Sequence, residues 1–132
     1  DHAVFRKGLI AMLQRELYVE VVGEAGNGYD VLKAARDLHP DIILMDVSMP
    51  GMNGIEATAI ISRELPDIRI IGLSMFEDTI IKNRMLESGA DMFLTKSIDS
   101  KHLIKAICNK TIFRGQSSFA NAKTQGGQLH IL

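Results

Sequence analysis

The 132-residue sequence predicts a doubly wound α/β sheet, on three observations. Short apolar runs alternate with longer stretches whose apolar residues recur every three or four positions. The run Ile42–Met45 contains no polar residue, and helix-start and helix-stop residues separate the two kinds of segment. Strands regularly separated by helices lie parallel with right-handed crossovers, which puts helices on both faces of the sheet.

The elements follow in order. Phe5, Leu9, Met12, Leu13 and Leu17 form the stripe of an amphipathic helix over Val4–Leu17. Val19–Val22 reads as a short strand, and Gly23–Gly28 behind it as a loop. Asn27 can cap a second helix that carries Asp30 in its first turn, places Val31, Ala35 and Leu38 on one face and ends at Pro40. Ile42–Met45 is a strand covered on both faces. After a loop from Asp46 to Met52, Asn53 and Glu56 have the spacing of a capping box, and Ala57, Ile61 and Leu65 carry that helix to Pro66. A strand is expected over Ile68–Leu73, a helix over Asp78–Ser88 stopped by Gly89, a short strand over Met92–Leu94 and a last helix over Ser100–Lys110.

The sequence opens on a helix where this architecture opens on a strand, so a first strand is expected to be missing from the N-terminus. An empty slot would leave a neighbouring strand's hydrogen-bonding groups unpaired and two apolar helix faces exposed. Leu129–Leu132, behind the pair Gly126–Gly127, is the unassigned strand-like segment. Two expectations stay open: residues 129–132 supply the strand, from their own chain or a neighbour's, or everything from Thr111 onward is an unstructured linker. Residues 1–112 are read as the domain and 113–132 as linker or tail.

Fifteen basic against sixteen acidic residues give a net charge of −1 with no basic cluster, so nucleic-acid binding by this segment is not expected. One cysteine, Cys108, excludes an internal disulfide framework. No apolar run approaches the roughly 20 residues that span a bilayer, and Asp1–Lys7 lacks the order of a signal peptide. A cytoplasmic location without membrane association is the expectation.

In an open α/β sheet ligands bind outside the carboxyl ends of the strands. The polar residues ending the predicted strands are Asp46, Ser74 and Lys96, and Asp1 stands where a missing first strand would deliver it. Each alone has an ordinary explanation, a loop or cap Asp and a solvated Lys, but their recurrence in successive units points to one site. Asp1 and Asp46 can offer hard oxygens to Mg²⁺, Lys96 can neutralise added negative charge, and the Ser74 hydroxyl can bond an oxygen attached to Asp46. A carboxylate so placed is a candidate nucleophile for a phosphoryl group. His2, His39, His102 and His130 show no metal-ligand spacing, and the methionines read as packing residues.

Asp41–Ala57, Ile71–Ser74 and Gly89–Lys96 together resemble the phosphoacceptor, switch and lysine segments of response-regulator receiver domains. Asp1–Leu9 is similar to their NarL/LuxR (FixJ) branch, and the resemblance runs from Asp1 to about Phe119. It implies a flavodoxin-like (CheY-like) sheet of five strands and a Mg²⁺-dependent phosphoacceptor, Asp46, served by a sensor histidine kinase. It implies metal ligation by Asp1, Asp46 and the backbone carbonyl of Ser48, and phosphoryl contacts from Ser74 and Lys96. Phe93 is implied as the aromatic switch residue following Ser74, and Ser48 and Phe76 as residues flanking the attacking water's path. It further implies a phosphorylation-dependent homodimer, with transcription controlled through a DNA-binding helix-turn-helix domain outside this sequence. Beyond self-phosphorylation and autodephosphorylation no enzymatic turnover is expected. A haloacid-dehalogenase-type hydrolase needs a second Asp two residues after the first, where Ser48 stands. A flavodoxin-type cofactor binder needs a phosphate loop that Asp1–Ala3 does not provide. The remaining alternative is a phosphorylation-incompetent, receiver-like interaction module.

Overall fold

The computed structural model describes residues 2–15, 20–47, 52–75, 77–95, 102–103, 105–106 and 128–131, with the backbone alone at 2–6, 20 and 128–131. Its elements are α1 (His2–Leu13), β1 (Glu20–Glu24), α2 (Gly28–Leu38), β2 (Ile42–Asp46), α3 (Gly54–Glu64), β3 (Arg69–Ser74), α4 (Thr79–Glu87), β4 (Met92–Thr95) and β5 (Gln128–Ile131). Residues 102–103 and 105–106 are helical.

The helix starts obey their capping residues. The Asn27 side chain accepts from the Asp30 N–H at 2.9 Å. Asn53 and Glu56 make both halves of the capping box, at 2.9 and 3.2 Å, and Asp78 accepts from Ile80 and Ile81. Each cap satisfies N–H groups that the helix itself leaves without partners. The α2 helix stops where His39 turns left-handed (φ 46°) and donates to the Ala35 carbonyl, after which Pro40 cannot extend it.

Two boundaries differ most from expectation. The first helix ends at Leu13 rather than Leu17, because the last turn tightens and Arg15 donates to Met12, three residues back. The first strand takes in Gly23 and Glu24, which read as loop, because they pair with His130 and Ile131 of β5 after an irregularity between Val21 and Gly23. A partner strand, not an apolar run, sets that boundary. The expected final helix lies largely outside the described residues, as do Leu17 and Leu132.

All four strand pairings are parallel, and the order is β1-β5-β2-β3-β4. β5 occupies the slot between β1 and β2, registered as Leu129 with Val21 and Ile42, and His130 with Gly23 and Ile43. The position between β1 and β2 is thus filled by residues 128–131 of the same chain.

Alternation along β2 and β3 divides the core in two, as the two-residue period of a strand requires. Ile43, Met45 and Ile70 pack with Val31, Ala35, Ala57, Ile61 and Met85, so α2, α3 and α4 cover one face. Ile42, Leu44, Ile71 and Leu73 pack with Leu9, Leu13 and Leu103 on the other. Every residue of β2 and β3 is buried, and burial of a Leu or Ile side chain contributes about 1.5–3 kcal/mol. On the surface Arg36 reaches across from α2 to Glu64 of α3 with its guanidinium at 2.9–3.1 Å, an exposed pair worth about 1 kcal/mol or less.

Candidate functional site

Polar residues end three neighbouring strands at the same end of the sheet. Asp46 is the last residue of β2 and only 5% exposed, and Ser74 is the last of β3 at 7%. Asp46 pairs with Leu73, so Ser74 stands one residue further along the adjacent strand. Standard strand spacings then put the two α-carbons about 6 Å apart. Ser74 in turn pairs with Thr95, the last residue of β4. A carboxylate-bearing and two hydroxyl-bearing residues therefore end three adjacent strands at one end of the sheet.

Backbone contacts fix this end. The Val47 N–H donates to the Leu73 carbonyl at 3.1 Å, and the Gly54 N–H donates to the Val47 carbonyl at 3.2 Å, tying the start of α3 to the end of β2. Gly54 has no room for a side chain: a Cβ there would overlap the carbonyl oxygen of Asp46. Nearby, the Gly28 N–H donates to the Met52 carbonyl at 3.2 Å, and a Cβ at 28 would come within 2.5 Å of that oxygen. Two glycines thus let helix starts press onto the segments around Asp46. Overpacking here is expected to cost about 1–3 kcal/mol in Gly54→Ala, lowering the thermal midpoint measured by calorimetry. A melting temperature equal to that of the unaltered chain would contradict the packing.

Phe93 and Ser74 lie on the same face. Gly72 and Ser74 are two apart on β3, and Gly72 and Ser74 pair with Phe93 and Thr95. A Cβ at Gly72 would stand 2.7 Å from the Met85 Cε and 3.0 Å from the Phe93 Cδ1, so the missing side chain is what admits the ring. Phe93 is half-buried against the core and lines a cleft of about 500 Å³ with Glu77, Asp78, Thr79, Lys82, Leu94 and Thr95. From the cleft, contact runs through Met85 to Thr58 of α3, whose buried hydroxyl faces the Met85 sulfur at 3.9 Å.

Asp46, Ser74 and Phe93 are thus placed by the structure. Asp1, Ser48, Phe76 and Lys96 lie outside the described residues, although Lys96 directly follows Thr95. Among the described residues no group of three His, Cys, Asp or Glu could hold a metal ion. Sequence reading overlooked Thr95 and the packing role of Gly54. Thr95 beside the singled-out Lys96, and Gly54 directly after a capping Asn, were the signals available. Among the described residues no helix is long and apolar enough to cross a membrane.

Comparison with known proteins agrees with this fold. The family model for the response regulator receiver domain matches residues 1–108. The response regulator GacA of Pseudomonas aeruginosa is 39% identical over 116 residues, covering 88% of this chain and 53% of GacA. The transcriptional regulatory protein LnrK of Bacillus subtilis is 36% identical over 107 residues, 81% of this chain and 49% of LnrK. The chain spans about half the length of these relatives. Among solved structures, the signal receiver domain of a Mycobacterium tuberculosis protein assigned as the response regulator NarL superposes with a TM-score of 0.80 at 31% identity, over 86% of this chain and 91% of that one. A two-component response regulator of the LuxR family from Aurantimonas gives 0.78 at 29% identity, over 95% of this chain and 91% of that one.

Proposed function

Because this chain belongs to the response regulator receiver domain family, we propose that it is a phosphorylation-controlled switch whose acceptor is Asp46. The observation that carries this reading is the buried Asp46 carboxylate at the end of β2, one strand away from the hydroxyl that ends β3. One Asp46 oxygen attacks the phosphorus of a sensor kinase's phosphohistidine; the new O–P bond forms as the N–P bond breaks, and the imidazole leaves. The Ser74 hydroxyl donates to a phosphoryl oxygen that exists only after transfer, and a cationic Lys96 would offset the added charge. A contact made in one state only is what a two-state switch requires.

Asp46, Asp1 and the Ser48 carbonyl are the hard oxygens that would hold Mg²⁺, which when bound would neutralise charge on the transferring group. When Ser74 moves to the phosphoryl group, Phe93 turns further into the space beside Gly72, and the surface of α4 and β4 changes with it. Homodimerisation is the output of that change. A helix-turn-helix domain in the longer protein carries it to DNA, in the cytoplasm where the kinase presents its phosphohistidine. The chemistry native to the domain is limited to self-phosphorylation from small donors and autodephosphorylation.

Sedimentation of the chain with and without beryllofluoride and Mg²⁺ tests the switch: a rise in mass with beryllofluoride is expected. The same mass in both, with no uptake from acetyl phosphate, assigns the domain to the phosphorylation-incompetent interaction modules instead. The acyl phosphate is expected to be long-lived, because a phenyl ring such as that of Phe76 can neither orient nor activate an attacking water. Phe76→Glu should accelerate loss of the phosphoryl group by about an order of magnitude, within the range of general-base assistance, as followed by intact mass over time. An unchanged rate removes Phe76 from the attacking water's path.

A further inference from the structure

Four elements meet at one gap in the core. Gly72 of β3 has no side chain, and the space it leaves is shared: a Cβ there would lie 2.7 Å from the Met85 Cε and 3.0 Å from the Phe93 Cδ1. Met85 comes from α4, and Phe93 comes from β4, where it pairs with Gly72. Met85 is fully buried, and the Thr58 hydroxyl of α3, from a residue equally buried, donates to its sulfur at 3.9 Å. Thr58 stands four residues after Gly54, on the helix face that Gly54 presses against the Asp46 carbonyl.

Protein interiors are close-packed, so a ring cannot turn into an occupied gap unless the occupant leaves. Ile61 and Ile70 of the same cluster are β-branched and stiff about χ1, whereas Met85 is unbranched and flexible along its whole length. Met85 is therefore the neighbour that yields. We propose that Met85, held by Thr58, is the gate of the switch: its methyl fills the gap beside Gly72 while Phe93 is turned out, and it swings aside for the ring to enter. This positioning role rests on the reading of Asp46 as phosphoacceptor. A thioether sulfur is a weak acceptor, so the hold is light and adjusts the balance between the two states without locking either. A ligand of the inward state binds in proportion to the population of that state, and loosening Met85 therefore tightens binding at Asp46.

The test uses the 132-residue chain with isotope-labelled methionine methyls, titrated with beryllofluoride in the presence of Mg²⁺. Fluorine NMR reports bound fluoride. The Met85 methyl signal, assigned by its loss in Met85→Leu, reports the gap, because the ring current of Phe93 makes it follow the ring. It is expected to move as beryllofluoride saturates the chain. In Thr58→Val, which keeps the shape and removes the donor, the signal should start part-way along that path before any beryllofluoride is added. Half-saturation should then come at a concentration about threefold lower. Thr58→Ser keeps the hydroxyl and should titrate like the unaltered chain. Met85→Leu removes the sulfur and should lower the half-saturating concentration about as far, with no further drop in the double variant, since both changes break one contact. Bound fluoride with an unmoved Met85 methyl, a Thr58→Val that titrates like the unaltered chain, or full additivity in the double variant overturns the gate alone. Absence of bound fluoride from every variant overturns the phosphoacceptor reading, and the gate with it.

Discussion

Asp46→Asn is expected to gain no mass from acetyl phosphate and Mg²⁺ under conditions in which the unaltered chain gains one phosphoryl group. The amide has the shape of the carboxylate, so the buried end of β2 keeps its packing and its backbone bond network through Val47. What is lost is the anionic oxygen that attacks phosphorus, and an amide oxygen is too weak a nucleophile to replace it. The effect is therefore all or none, while the melting curve stays close to that of the unaltered chain. Intact mass spectrometry reads the first and calorimetry the second. Equal mass gain in both proteins would place the acceptor elsewhere.

Removing Gln128–Leu132 is expected to produce the largest loss of stability of any change in this chain. β5 pairs with strands on both sides, so its removal strips hydrogen-bond partners from Ile42–Leu44 and from β1 together. Ile42 and Leu44, now 4% and 0% exposed, would border an open channel. Buried backbone groups left without partners cost about 1–3 kcal/mol each, and a domain of this size has only about 5–15 kcal/mol in total. The cooperative thermal transition should fall by more than about 10 °C or vanish. An unchanged melting temperature would mean that the sheet is complete without β5.

The parts of this molecule that were legible in the sequence are those governed by local chemistry. Asn27 and Asn53 announced helix starts because a short polar side chain can reach the next turn's N–H groups, and each does so. Ile42–Met45 announced a central strand because only burial on both faces tolerates four apolar residues in a row. Asp46 and Ser74 were legible because strand ends in this architecture lie side by side. Long-range pairing was harder to read. Nothing in Gly23–Glu24 signals a strand, since residues more than a hundred positions away bring them into the ladder. Thr95 gained meaning only from its register with Ser74, and Gly54 only from the carbonyl pressed against it.

The strand order also sets a schedule for folding. Chains grow at about 5–20 residues per second, so β1 and β2 emerge several seconds before β5 is synthesised. During that interval both present unpaired edges to one another and to other nascent chains, the exposure that invites edge-to-edge association. Contacts closing loops of this length also make folding slow, because chain entropy must be lost before any pairing compensates for it. High expression rates and crowded refolding should therefore favour aggregation of this domain, and slow refolding from dilute solution should recover it.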